Sequence, residues 1–113
     1  MTITGANVLT AWRHDVSGFF QGDDNKMSPN GLRDPELFLR WLQFAAFSPI
    51  VPHHCNHCEL RPWMYPNFPL LRDVFQLRNA LVPYLYSAAF ESSRTAVLPV
   101  HALYLDWPEE VSR

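Results

Sequence analysis

No run of basic side chains and no long apolar stretch occurs in this 113-residue chain. Nine Lys and Arg and eleven Asp and Glu are scattered along it for a formal charge of -2, so nothing forms an electrostatic footprint for phosphates, and nucleic acid is not expected as a partner. A membrane-spanning helix needs about 20 consecutive apolar residues, so no membrane partner is expected either. Residues 1–11 carry no basic segment followed by a sustained apolar stretch, and no secretion signal is read there. Cysteine is scarce. Cys55 and Cys58 are too few for a disulfide framework, and their two-residue gap strains a local bridge unless the turn suits it, so free thiols are expected. Internal repeats and low-complexity segments are also lacking.

What is present wants a core: hydrophobic residues make up 48% and aromatics 14%. The length suits one modest domain and falls well short of the roughly 250 residues of an eightfold β/α barrel. A short apolar run from Ala6 to Trp12 suits a buried strand. The turn-forming stretch Gln21 to Arg33 then reads as a long loop. A helix is expected from Asp34, which can cap free backbone donors, with Pro35 at the first helical position and Glu36 near the positive end. Leu37, Phe38, Trp41, Leu42 and Ala45 then form one apolar stripe, up to about Phe47. Ser48 to His53, bounded by Pro49 and Pro52, has room for a short strand. After a loop over His54 to Phe68, a second helix is expected from about Pro69 to Ser92, kinked at Pro83, and a last strand from Ala96 to Leu105. Strands alternating with helices argue for parallel βα units, and two such units cannot close or cover a sheet by themselves.

Three segments carry a resemblance. Trp12-Arg13-His14-Asp15-Val16-Ser17-Gly18-Phe19 places an HD pair before a small residue, a glycine and an aromatic. Glu36-Leu37-Phe38-Leu39-Arg40-Trp41-Leu42-Gln43-Phe44-Ala45-Ala46-Phe47-Ser48-Pro49 comes next, then His54, Arg61-Pro62-Trp63, and Arg78 to Tyr86 in an R-x-x-L-x-P-Y-x-Y pattern. In this order they resemble the glycoside hydrolase family 31 signatures, from about Asn7 to Trp107. The resemblance implies an α/β fold: a fragment of a (β/α)8 TIM barrel, with residues 1–95 as its last two βα units and 96–113 as the start of a C-terminal β-rich region. It also implies a retaining α-glycosidase acting on an α-linked glucoside or related oligosaccharide. The aspartate nucleophile and acid/base lie on earlier strands, so neither is in this sequence and the missing strands are needed.

By the same resemblance His54 is a substrate-binding histidine at the end of the last barrel strand, where barrel chemistry sits. Asp15 belongs to the active-site floor, and Phe19 offers an apolar wall to the carbon face of a sugar. His14 and Trp63 are further candidate sugar contacts, with anchoring of the loop the stronger role for Trp63. Without the resemblance, each has a plain structural reading: a loop histidine, a turn aspartate, a core phenylalanine. Pro52 and His53 depart from the family, which commonly carries an arginine two residues before the histidine. Arg40 and Trp41 are expected to be structural.

The cluster His53-His54-Cys55-Asn56-His57-Cys58 is dense in nitrogen and sulfur ligands. A structural zinc site draws its ligands from two segments, however, and these candidates all fall within six residues. No metal and no cofactor is therefore expected. A small zinc-binding interaction module and a non-functional remnant stand as alternatives.

Overall fold

The computed structural model describes residues 13–20, 31–56, 58–101 and 106–108. Two helices organise them, α1 over Pro35–Ala45 and α2 over Phe68–Thr95, with a 3-10 turn at Pro62–Met64 in between. The start of α1 reflects its capping chemistry: the Asp34 carboxylate accepts the Leu37 amide at 2.7 Å, Pro35 fills the first turn, and Glu36 lies near the positive end of the dipole. Phe38, Leu42 and Ala45 turn inward at helical spacing and bury completely, with Trp41 half-buried beside them. Leu37 is a correction to the expected stripe, since at its edge, next to Trp41, it is 46% exposed.

The 28 residues of α2 form a rod of about 42 Å at 1.5 Å per residue. It begins one residue before the expected start, runs unbroken through Pro83, and ends where Ala96 adopts the left-handed conformation at φ 61°. Among the described residues the hydrophobic core meets its N-terminal portion, and near the far end Ser92 is buried as well. Leu71 is fully buried against Val16, Phe38, Leu42, Ala45 and Tyr65, with Val74 and Phe75 packed alongside. Further along, Val82, Tyr84, Tyr86 and Phe90 expose more than half of their surface.

Among the described residues there is no strand, only an isolated parallel bridge between Leu32 and Glu59. The strand expected over residues 6–12 lies outside the described residues. That expected over Ser48 to His53 does not form. Proline removes two of its six donors, the Ser48 and Pro49 carbonyls are taken by Arg78, and the Pro52 carbonyl accepts the Val16 amide. Residues 96–101 of the expected last strand are irregular, and 102–105 lie outside the described residues. Among the described residues no helix is long and apolar enough to cross a membrane.

Arg78 fastens the second helix to the first. Its guanidinium donates to the carbonyl of Ala46, the C-terminal cap of α1, at 3.0 Å and to those of Ser48 at 2.6 Å and Pro49 at 2.8 Å in the turn that follows. Replacing Arg78 by Ala strands three carbonyls in a partly buried turn and is expected to cost about 2 kcal/mol or more, read from the urea midpoint. Arg78→Lys is expected to recover less than half of that loss, because a single ammonium cannot span the three acceptors.

Candidate functional site

Both loops that precede the two helices lie against each other. The first turns sharply at Asp15–Gly18, closed by the Gly18 amide on the Asp15 carbonyl at 2.8 Å. Ser17 and Gly18 both have positive φ, 71° and 84°; the second suits glycine, and the first is a strained position for serine. Arg33, at the end of the same loop, donates to the Gly18 carbonyl at 2.8 Å and holds the turn from the other side.

The second loop is stitched to the first along its length. The Asn56 amide donates to the Phe19 carbonyl at 3.0 Å and the Glu59 amide to the Gly31 carbonyl at 2.8 Å. Tyr65 completes the seam: its hydroxyl accepts the Arg33 amide at 3.0 Å and donates to the Glu59 carbonyl at 2.6 Å, while burial pushes its pKa up. At the roots of both helices the Asn67 side-chain amide donates to the Pro35 carbonyl at 2.8 Å.

This seam brings Phe19 and His54 together, with ring centroids 5.1 Å apart and planes tilted by 60°. Phe20 meets Phe19 edge to face at 4.8 Å. Beside them an open cleft of about 410 Å³ is lined by His53, His54, Cys55, Arg61 and Trp63 among others. Trp63 sits on the 3-10 turn with 64% of its surface exposed and lines the cleft. Glu59 is gripped by the Arg61 guanidinium and backbone amide, which hold its carboxyl below the usual range. Asp15 is half-buried one residue from His14.

His14 is placed differently from the other candidates. It is 5% exposed, and its Nδ1 accepts the Trp41 indole N–H at 2.7 Å, so it faces α1 and is not among the cleft-lining residues. Cys55 and Cys58 correct the free-thiol expectation: they are joined as a disulfide, with Cα atoms 5.8 Å apart. The pairing takes both sulfurs out of any zinc ligand set, and among the described residues no group of three or more His, Cys, Asp or Glu is arranged to hold a metal ion. Arg33, Tyr65 and Glu59 are not singled out by the sequence. In each of their bonds across the seam the partner is a backbone group or one end is a backbone amide, so no pair of side-chain types is there to read.

The family model that matches is the glycosyl hydrolases family 31 TIM-barrel domain, over residues 1–88. The chain belongs to glycoside hydrolase family 31. Among its relatives, a 1,6-alpha-glucosyltransferase of Sporosarcina globispora is 33% identical over 104 residues, covering 87% of this chain and 8% of that protein. Glucosidase 2 subunit alpha of Schizosaccharomyces pombe is 35% identical over 101 residues, 85% of this chain and 10% of the relative. An alpha-xylosidase of Saccharolobus solfataricus is 29% identical over 101 residues, 88% of this chain and 13% of the relative. The family 31 chain thus spans about a tenth of the length of the curated relatives it matches. No solved structure matches it.

Two histidines of this family 31 chain are pulled below the ordinary value of 6.5 by desolvation: buried His14, where neighbouring Asp15 partly offsets the effect, and His53, an exposed residue whose ring packs on Phe38 and Phe75. The unfolded chain binds more protons at both, so their contribution to stability is complete above pH 6.5 and is lost as pH falls through the lowered folded values. His101 acts in the opposite sense. The Leu98 carbonyl and the Asp106 carboxylate raise its pKa, so its contribution is complete below 6.5 and is lost as pH rises through the folded value. Urea midpoints taken from about pH 7.5 to about pH 5 are therefore expected to fall, and to fall more steeply in His101→Ala. A flat or rising midpoint in that variant contradicts the assignment.

Proposed function

We infer that this chain supplies part of the sugar-binding rim of a family 31 α-glycosidase barrel acting on an α-linked glucoside or related oligosaccharide. The observation that carries the reading is the Phe19–His54 pair at 5.1 Å, held by the Asn56 to Phe19 backbone bond next to an open cleft. An aromatic face beside an imidazole is what a pyranose needs: the ring packs on the carbon face of the sugar, and the imidazole donates to or accepts from a hydroxyl. In this reading Asp15 orients neighbours or accepts from a second hydroxyl, and the exposed Trp63 offers a stacking surface for an outer sugar unit.

The division of labour rests on the family resemblance. The nucleophile and acid/base belong to earlier barrel strands, and the residues of this chain bind and orient. Retaining hydrolysis needs two carboxyl groups about 5 Å apart on either side of the scissile bond, and neither is assigned to a residue here. The remaining barrel strands are needed for chemistry. Relatives named as glucosidase, xylosidase and glucosyltransferase share handling of an α-linked sugar, which supports the substrate class without choosing the sugar or linkage.

The chain alone is expected to leave a 4-nitrophenyl α-glucoside intact while giving saturation-transfer NMR contacts to methyl α-D-glucoside. His54→Ala is expected to weaken that binding about three- to tenfold, the value of one hydrogen bond. Turnover by the isolated chain that disappears in Asp15→Asn would overturn the division of labour. Glucoside contacts indifferent to His54→Ala would overturn the sugar reading.

A further inference from the structure

The motif that contains His14 marks it as a sugar contact, yet its ring is committed elsewhere. Trp41 Nε1 is 2.7 Å from Nδ1, and an indole N–H can only donate, so Nδ1 carries the lone pair. In the neutral ring the proton is then on Nε2, which faces Ser48 Oγ at 3.4 Å. The ring plane lies 27° from that of Trp41 with centroids 6.1 Å apart, as an edge-on hydrogen bond requires, and Phe44 packs against it, tilted, at 5.3 Å. Ser48 is itself fixed, because its carbonyl accepts the Arg78 guanidinium at 2.6 Å. One imidazole thus joins the first loop, α1 and the segment that leads into the His54 loop.

The residues directly after His14 form the segment offered to the sugar. Asp15–Gly18 is a strained turn, and its outer partners all come from neighbouring segments: Val16 to the Pro52 carbonyl, Arg33 to the Gly18 carbonyl, Asn56 to the Phe19 carbonyl. We propose that His14 is a positioning residue: a neutral imidazole held as the Nε2–H tautomer between Trp41 and Ser48, which sets where Asp15 and Phe19 stand against His54 and does not itself touch the sugar. The part concerning sugar rests on the function proposed above; the tautomer and its effect on the loop do not. Protonation of His14 would set a second donor against the donor-only indole and break the link. Among the described residues the charged groups at this locus are Asp15, beside it in sequence, and Arg78, whose guanidinium holds the Ser48 carbonyl; Trp41 and Phe44 bring no charge. Burial keeps the ring neutral by lowering its pKa, against the smaller pull of Asp15.

The test uses the full chain labelled with 15N-histidine. Long-range nitrogen–proton correlation is expected to show His14 as a single tautomer protonated at Nε2; protonation at Nδ1, or an average of the two forms, overturns the proposal. His14→Asn places an amide oxygen close to the position of Nδ1 and keeps an acceptor for Trp41, whereas His14→Leu keeps none. Hydrogen exchange of the Asn56 amide, which reports its bond to Phe19, is expected to accelerate about tenfold in His14→Leu and to stay within about threefold of the parent in His14→Asn. Equal acceleration in both variants overturns the positioning role. If His14→Leu does not fold, the tautomer pattern of the parent chain still decides. Methyl α-D-glucoside separates the two layers: a shift of the His14 ring nitrogens on its addition means direct contact and overturns the proposal. Failure of the parent chain to bind the glucoside overturns the sugar reading alone and leaves Asn56 exchange to judge His14.

Discussion

The Arg78 clamp is the constraint on which the rest depends. A helix ends with carbonyls that lack partners, and α1 ends beside two prolines that cannot supply donors. One guanidinium, reaching across from α2, answers the Ala46 carbonyl at that end and the Ser48 and Pro49 carbonyls just past it, at 2.6 to 3.0 Å. Partial burial lowers its pKa but leaves it cationic, and each bond is the stronger for being charge-assisted. Because the clamp holds Ser48 and Pro49, it fixes the takeoff of the segment that carries His53 and His54. Because Ser48 also faces His14, the same contact reaches the first loop. Packing of the two helices and placement of the cleft are therefore one problem, not two.

The cleft itself is built with little regular structure. Its lining comes from the second loop, residues 53–63, and what keeps that loop in register with the first is a seam of backbone bonds read across by two side chains, Tyr65 and Arg33. Loops ahead of helix N-termini are where a β/α barrel keeps its chemistry, since those loops leave the C-terminal ends of its strands. All the cleft-side candidates, Phe19, His54 and Trp63, fall on these two loops. Arg40, on the exposed flank of α1, makes a solvent-exposed pair with Glu36, which adds little to stability.

Helices are legible because their signals are local. Asp34, Pro35 and Glu36 announce a start within three residues, and the spacing of Phe38, Leu42 and Ala45 announces a buried face. The stripe reads too wide at Leu37, because hydropathy alone cannot say how many neighbours a helix has. Strands are the opposite case. Their existence rests on ladder partners elsewhere, and residues 48–53 spend their acceptors on Arg78 and Val16. The Asn56 to Phe19 and Glu59 to Gly31 bonds use only backbone atoms, so no residue type foretells them. The disulfide escapes a reading of spacing because the fit of a short bridge depends on the turn between Cys55 and Cys58. His14 shows the limit of a motif: it picks out the residue, and only the 2.7 Å indole contact shows which way the ring faces.

Stability along α2 is uneven for the same reasons. Up to Arg78 the helix is held by Leu71 in the core, by Val74 and Phe75 beside it, and by the clamp. Among the described residues past Pro83, the side chains that reach carbonyls do so within their own helix, as Ser87 does on Pro83 and Thr95 on Glu91, and such bonds add no tertiary hold. Tyr84, Tyr86 and Phe90 are large side chains exposed well beyond what a helix face turned to water requires. A helix of this kind opens from its weakly packed end, since local stability tracks buried apolar contact. Arg78 marks the boundary. Fraying of the distal half leaves the three carbonyl bonds intact, so the order of the cleft does not hinge on the order of the helix end, and the stretch of α2 that matters for the candidate site is the stretch that its own core already holds.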